Sequence, residues 1–247
     1  MLQITDLNVS YGKKQVLKNI NLAIKPHTVT AVIGKNGSGK STLVSAINGQ
    51  TPYTGTIHFA GQDIRLLPSR EKAKLISVLP QVLASPHITV EQLVKMGRNP
   101  YVDLARRFAP NDVQAVREAI DTMGIQPLAD RYVDRISGGE RQKAYLAMTL
   151  AQKTRMMIFD EPGTYMDMAY ERQFMETLSS LQRTMHKTVV IVMHNLATAI
   201  KYADRLVVLD AGQVVFDGTR EDCLERCVVE QVFGVKKHLS DGEIFFS

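Results

Sequence analysis

An eight-residue glycine-rich segment, residues 34 to 41, constrains this chain more than any other feature of its sequence. It reads Gly-Lys-Asn-Gly-Ser-Gly-Lys-Ser and fully matches the P-loop pattern, whose glycines let the backbone turn tightly and aim several N–H groups at phosphate oxygens. A glycine turn between a strand and a helix is the ordinary alternative. Residues 28 to 33 predict a buried strand and residues 41 to 48 predict a helix, which is the setting that a phosphate site requires.

This segment predicts specific roles at a nucleotide. Lys40 can reach the β- and γ-phosphates, and Ser41 can place its hydroxyl on Mg²⁺. The helix that starts near Lys40 adds its positive N-terminal end. The predicted nucleotide ligands are Gly34, Lys35, Asn36, Gly37, Ser38, Gly39, Lys40, Ser41 and Thr42.

An apolar stretch that ends in two acids supplies a second element of such a site. Residues 155 to 159 predict a strand, and Asp160 and Glu161 follow it, as in a Walker B element. Asp160 would hold Mg²⁺ directly or through water, and Glu161 would polarise the attacking water. Alone, the stretch fits an ordinary buried strand with exposed acids equally well; the upstream P-loop favours the catalytic interpretation.

The remaining segments predict an α/β fold with a P-loop NTPase core: a mostly parallel sheet with helices, and N-terminal antiparallel strands. Helical spacing replaces strand patterns over residues 85 to 150, so we predict a helical subdomain, 85–150, within a single domain, 1–247. Further strands are predicted at 2–9, 16–24, 56–59, 75–79, 188–193, 205–209 and 214–216, and helices at 90–96, 112–123, 138–152 and 220–233.

Composition and charge exclude some classes of protein. Hydrophobic residues make up 45% of the chain, which suffices for a large buried core. The net charge of +5 is compatible with nucleic acid, a membrane surface or phosphate ligands, although a mildly basic soluble protein is the ordinary explanation. No run approaches the ~20 apolar residues that span a bilayer, and residues 1 to 6 lack the features of a secretory signal, so we expect a cytosolic chain.

The only cysteines, Cys223 and Cys227, are four residues apart. That spacing permits a metal pair, but no nearby His or Cys completes a site. We therefore expect two buried, reduced thiols.

The segment Ile136 to Glu140 reads Ile-Ser-Gly-Gly-Glu and precedes an apolar helical run. Ser137 is a plausible helix cap with Glu140 three residues later, as in a capping box. Taken alone, this predicts only a well-capped helix.

The order of the P-loop, Gln81, Ser-Gly-Gly-Glu, the Walker B element and His194 resembles the nucleotide-binding domain of ABC transporters, over nearly the whole chain. The resemblance implies that Tyr11 stacks on adenine and that Gln81 reaches Mg²⁺ and the attacking water. It also implies that His194 contacts the γ-phosphate and that Asp167 is the D-loop aspartate. Without the resemblance, these would be a turn tyrosine, a surface glutamine and a structural histidine.

Three residues depart from the family's common pattern. Glu140 stands where glutamine is frequent, and Gly163 and Met166 replace residues that are more often Thr and Leu. Gly163 is expected to loosen the turn after Glu161.

The resemblance also implies a head-to-tail pair of chains, because the Ser-Gly-Gly loop closes over the ATP of a second copy. One chain carries one P-loop and one such loop, so two chains would form two complete sites. The residues expected to contact the partner's ATP are Ser137, Gly138, Gly139, Glu140 and Asp167.

Residues 88 to 101 resemble the segment after the Q-loop in importers of iron-siderophores, haem and cobalamin, most tellingly at Met96 to Pro100. This implies separate membrane permease subunits, indirectly an extracytoplasmic substrate-binding protein, and a peripheral position on the cytoplasmic face of the cell membrane. Arg98, Asn99 and Tyr101 are expected to be exposed residues of a rigid docking loop, or else to cap a helix.

Other classes fit less well. A soluble cassette protein acting on ribosomes or DNA usually carries two cassettes or coiled-coil insertions, which this sequence lacks, so no nucleic-acid partner is expected. A non-hydrolytic regulatory module would be favoured by loss of Glu161 or His194, but both are present. An ABC transporter subunit for a different cargo stays open.

Overall fold

A computed structural model describes residues 1–102, 107–162, 168–240 and 243–247 of the chain. These residues form two units. The first combines Met1–Leu67 with Ile158–Ser247, and the second is Pro68–Met157. The second unit contains the predicted helical subdomain 85–150 and also includes the residues from Pro68 onward.

The first unit contains most of the strands. Its strands are β1 (Leu2–Tyr11), β2 (Lys14–Ile24), β3 (Val29–Gly34), β4 (Thr54–Phe59), β5 (Gln62–Asp63), the end of β7 (Met156–Asp160), β8 (Thr188–Val192), β9 (Arg205–Asp210), β10 (Gln213–Thr219), β11 (Lys237–Ser240) and β12 (Glu243–Phe246). Its helices are α1 (Lys40–Ile47), α6 (Met168–Met185), α7 (Leu196–Tyr202), α8 (Arg220–Glu225) and α9 (Val228–Phe233).

The second unit is mainly helical. Its helices are α2 (Ser69–Leu75), α3 (Val90–Met96), α4 (Pro110–Thr122) and α5 (Gly138–Ala151), and its strands are β6 (Ile76–Leu79) and the start of β7. The sequence did not predict α2.

The N-terminal strands form an antiparallel sheet, as predicted, and their order is β2-β1-β4-β5. β1 begins with the alternation typical of a half-buried strand, because Leu2 and Ile4 are buried whereas Gln3 is exposed. β1 and β2 join in a hairpin that pairs Tyr11 with Lys14 across Gly12, whose φ is +59°.

The central sheet of the first unit is parallel around β3, which lies between β8 and β9. Every residue of β3 and β8 is buried, as expected for parallel strands covered on both faces. The backbone N–H of Glu161 donates to Val192 O at 3.2 Å, so β7 ends beside the end of β8. The carboxyl ends of these strands share one edge, which is where ligands bind in open α/β sheets.

Arg98 is buried, which contradicts the prediction of an exposed docking residue. Its guanidinium forms an ion pair with Asp112, at 2.8 Å from Nη2 to Oδ1, and Nη1 donates to Ala151 O at 2.8 Å. The guanidinium also lies over the Tyr101 ring, with Arg98 Cζ 3.8 Å from the ring centroid. Arg98 therefore holds α3, α4 and α5 together, and only Asn99 of the three predicted docking residues is exposed.

The C-terminal region differs from its prediction in two respects. The helix predicted at 220–233 is broken between α8 and α9, because Cys227 adopts a φ of +51°. The break exposes Cys227 and leaves only Cys223 buried, so the expectation of two buried thiols was wrong for Cys227. The hairpin of β11 and β12 follows α9.

Among the described residues, none of the helices has the length and apolar character that a membrane span requires.

Candidate functional site

The P-loop connects β3 to α1 and is shaped by two glycines. A Cβ at Gly34 would lie 2.3 Å from Leu209 O, so the loop passes too close to β9 for any side chain. Gly39 has a φ of +105°, and a Cβ there would lie 2.5 Å from Leu17 Cδ2. Both positions therefore require glycine, and the loop is held against β2 and β9.

Lys40 lies inside the loop that precedes it. It is 5% exposed, and its Nζ donates to Gly34 O at 2.9 Å and to Lys35 O at 3.3 Å. Burial lowers the pKa of Lys40, while the charges of Glu161 and Asp160 oppose that shift. The ammonium group thus lies where a phosphate oxygen could reach it in place of the carbonyls.

Ser38 adds a buried hydroxyl to the same loop. The residue is 3% exposed, and its Oγ has no hydrogen-bond partner among the residues that the structure describes. A buried donor without a partner costs free energy, and a phosphate oxygen would satisfy it.

The acidic pair at the end of β7 faces the loop. Ser41 Oγ donates to Asp160 Oδ1 at 3.3 Å. Glu161 Oε1 lies 2.6 Å from His194 Nε2 and 4.0 Å from Lys40 Nζ. One edge of the sheet thus carries a hydroxyl in contact with the carboxylate of Asp160, and an imidazole and an ammonium next to the carboxylate of Glu161.

Electrostatics at this edge favour a cationic ligand. Burial raises the pKa of Asp160, and the neighbouring charge of Glu161 raises it further, against the effects of Ser41, Lys40 and His194. A cation at Asp160 would relieve this cost of holding two carboxylates together. Glu161 also has a φ of +48°, a conformation that side chains rarely adopt and that is found at functional sites.

Tyr11 lies at the end of β1 with about half of its surface exposed. Its hydroxyl is 3.2 Å from Thr51 Oγ1, a residue shortly after α1. The ring is therefore anchored at one end and accessible on its surface, and its stacking on adenine stays a prediction.

The other predicted residues lie in the second unit. Gln81 follows β6 and is exposed. Ser137 caps α5 in the expected capping box: Ser137 N–H donates to Glu140 Oε2 at 2.8 Å, and Glu140 N–H donates to Ser137 Oγ at 3.3 Å. These bonds to Ser137 lower the pKa of Glu140. A Cβ at Gly138 would meet open space.

The D-loop residues, Gly163, Met166 and Asp167, lie outside the described residues. The expected looser turn at Gly163 therefore stays a prediction.

Two polar residues that the sequence did not suggest lie next to the acidic pair. Glu171 of α6 and Asn195 line one cavity with Glu161 and His194, and the Phe174 ring contributes to the same lining. Asn195 follows the predicted His194 directly in the sequence, and this adjacency could have identified it as a site residue. No sequence signal pointed to Glu171, because only the fold brings it near Glu161 and His194.

Known proteins resemble the chain over most of its length. The family model described as "ABC transporter" matches residues 17–164. The ferric enterobactin transport ATP-binding protein of Escherichia coli is 37% identical over 96% of this chain and 89% of its own length. The petrobactin import ATP-binding protein of Bacillus anthracis is 35% identical over 99% of this chain and 90% of its own length. A nucleotide-free ATP-binding cassette from an ABC transporter superposes with a TM-score of 0.84 at 22% identity, over 94% of this chain and 97% of that one.

Proposed function

This chain belongs to the ABC transporter family, and on that basis we propose that it is the ATP-hydrolysing subunit of a membrane importer. The observation that carries the proposal is the contact of Glu161 with His194 and Lys40 at the mouth of the P-loop. These are the groups that hydrolysis of a γ-phosphate requires: a carboxylate for the water, and cationic or hydrogen-bonding groups for the developing charge.

The residues act on ATP as follows. Lys40 Nζ exchanges its bonds to the loop carbonyls for oxygens of the β- and γ-phosphates, and Ser38 donates from the same loop. Glu161 orients the attacking water and accepts its proton. His194, held by Glu161 at 2.6 Å, donates to the γ-phosphate. For Gln81 we propose the role that the family resemblance implies, a contact with the attacking water.

The oxygens of Ser41 and Asp160 fit Mg²⁺. This ion prefers oxygen ligands and commonly takes one or two from protein, with water and phosphate filling the remaining positions. The raised pKa of Asp160 is consistent with a carboxylate that needs a cation. When bound, Mg²⁺ would neutralise charge on the β- and γ-phosphates.

Each chain contributes one P-loop and one Ser-Gly-Gly-Glu segment, so complete sites form when two copies pair head to tail. The segment from Ser137 to Glu140 caps α5, which presents its backbone donors to the partner's γ-phosphate. Asp167 would contribute to the same contact. Closure on ATP and release after hydrolysis then supply the two-state movement that drives permease subunits.

The cargo class follows from the relatives. The relatives above are named for ferric enterobactin transport and petrobactin import, and a further relative is named for siderophore transport, so we propose an iron-siderophore as cargo, with haem and cobalamin-type compounds as neighbouring classes. The subunit would lie peripherally on the cytoplasmic face of the membrane. An extracytoplasmic binding protein would deliver the cargo to the permease.

Phosphate release from ATP tests the enzymatic part. We expect Mg²⁺-dependent release by the wild type and a loss of at least about 100-fold in Lys40→Ala, because the charge that holds the phosphates is gone. Lys25→Ala, an exposed lysine at the end of β2, is the matched control and should retain full activity. Wild-type turnover in Lys40→Ala would reject the assignment, and ATP binding without turnover in the wild type would favour a regulatory module.

The cargo is tested by reconstituting the subunit with its permease and binding protein. Uptake of a ferric siderophore that depends on ATP supports the proposed class. Uptake of an unrelated compound instead would leave the ATPase standing and reject the cargo.

A further inference from the structure

Asn195 has both ends of its side-chain amide engaged. Its Oδ1 accepts from Thr198 N–H at 3.1 Å, which caps α7, and its Nδ2 donates to Glu171 Oε2 at 2.9 Å. An ionised carboxylate can only accept hydrogen bonds, so Glu171 fixes which end of the amide faces it. The orientation of the Asn195 amide is therefore set by Thr198 N–H and Glu171 together.

Glu171 is itself held firmly. It lies in the first turn of α6, one turn before Phe174, and Phe174 packs edge-to-face on Phe159 of β7 with ring centroids 5.7 Å apart. The position of Glu171 is thereby tied to the strand that carries the acidic pair.

The amide is adjacent in sequence to His194, whose Nε2 contacts Glu161 Oε1 at 2.6 Å. Asn195 adopts an extended conformation at the start of α7, so its two bonds fix the backbone on which His194 is mounted. Glu161, Glu171, His194 and Asn195 also share one partly enclosed cavity, where hydrogen bonds count for more than in open water.

We propose that Glu171 is a positioning residue for ATP hydrolysis: acting through Asn195, it sets the placement of His194 against Glu161. This inference rests on the proposed function. In this role Glu171 acts on the imidazole through Asn195 and not on the nucleotide, so its loss should slow turnover without weakening ATP binding.

The first test is the separation of kcat from KM. We expect Glu171→Ala to lower kcat about tenfold, since a hydrogen bond to a charged group is lost, and to change KM for ATP by less than about twofold. Glu171→Gln can still accept from Asn195 and should retain most of kcat. Glu176→Ala, on the same helix in an exposed pair with Arg172, is the matched control and should stay within about twofold of wild type.

The second test exchanges the two partners. Asn195→Asp still caps Thr198 but sets two carboxylates against each other, so kcat should fall about as far as in Glu171→Ala. The combination of Asn195→Asp with Glu171→Gln lets the new amide donate to the new carboxylate. We expect it to restore kcat to within about threefold of wild type. A role confined to capping α7 predicts no loss in Asn195→Asp and therefore nothing to restore.

The outcomes are separable. Turnover of Glu171→Ala within about twofold of wild type, or an exchanged pair as slow as Asn195→Asp alone, overturns the inference. Should Glu171→Ala fail to fold in a thermal melt, Asn195→Asp and the exchanged pair decide. Lys40→Ala is measured alongside: a wild type no faster than this variant refutes the ATPase and the positioning role together, whereas an active wild type with insensitive variants refutes the positioning role alone.

Discussion

Two ionisable residues at the phosphate site have pKa values displaced toward their neutral forms. Burial lowers the pKa of Lys40 and raises that of Asp160, to which the charge of Glu161 adds. Folded Asp160 therefore binds its proton more tightly than unfolded Asp160. The free energy of unfolding then falls as pH rises from the ordinary aspartate pKa through the raised one. The stability lost over that range is still missing at neutral pH, where Asp160 is ionised.

We predict that Asp160→Asn raises the melting temperature of the protein at neutral pH without nucleotide or metal. The change removes a buried charge while keeping an acceptor for Ser41. It should also remove pH dependence from the range just above the ordinary aspartate pKa, while abolishing Mg²⁺-dependent phosphate release. Thermal melts across pH measure this, with the exposed Asp130→Asn as control. A lower melting temperature in Asp160→Asn would show that the carboxylate is stabilising.

At the scale of elements, the second unit depends on a buried ion pair. Arg98, which follows α3, pairs with Asp112 of α4 and donates to the last residue of α5, Ala151. Asp112 Oδ2 also accepts from Ala109 N–H and so caps α4. One guanidinium thus joins three helices, and losing it leaves a buried carboxylate unpaired.

We predict that Arg98→Ala destabilises the protein by about 3–5 kcal/mol, the cost of breaking a buried pair. Combining Arg98→Met with Asp112→Asn removes both charges and leaves an acceptor for Ala109, so it should recover at least half of that loss. Urea unfolding measures both variants, and the exposed Asn99→Ala serves as control. If Arg98→Ala lowers the free energy of unfolding by less than about 1 kcal/mol, the pair stabilises the protein no more than an exposed ion pair does, and the prediction is wrong.

The sequence predicted those parts of the fold and site whose signals are local. The P-loop, the acidic pair after β7 and the capping box at Ser137 each occupy one contiguous segment, and the strand and helix periods around them are strong. Arg98 was misjudged because Gly97 and Pro100 suggest a loop, whereas its burial depends on Asp112 and Ala151, distant in sequence. Glu171 was missed for the same reason.

Local backbone strain was also beyond prediction. The residues around Cys227 contain no signal that predicts its positive φ. Because of that φ, two short helices form where the sequence predicted one long helix. The hairpin of β11 and β12 packs on α7, and a strand pair that gains stability from such packing carries little signal of its own.

For the whole molecule, we predict dimerisation that depends on ATP. Glu161→Gln should bind ATP without hydrolysing it and so accumulate as a closed pair, because one P-loop and one Ser-Gly-Gly-Glu segment per chain require a second copy. Size-exclusion chromatography with light scattering, with and without ATP, measures the mass. Adding Gly138→Arg, where the fold leaves open space for a side chain, should keep the protein folded and monomeric. A monomer at saturating ATP in Glu161→Gln alone would contradict head-to-tail closure.

The burial of Arg98 changes what a genetic screen for uptake mutants would recover. A substitution on a docking surface leaves a normal amount of subunit that no longer works with its partner. Loss of the Arg98–Asp112 pair should instead enlarge the unfolded fraction that cellular proteases remove, so the subunit itself becomes scarce. Such strains would be temperature-sensitive, would regain uptake when the gene is overexpressed or the culture is cooled, and would be recognised by an immunoblot.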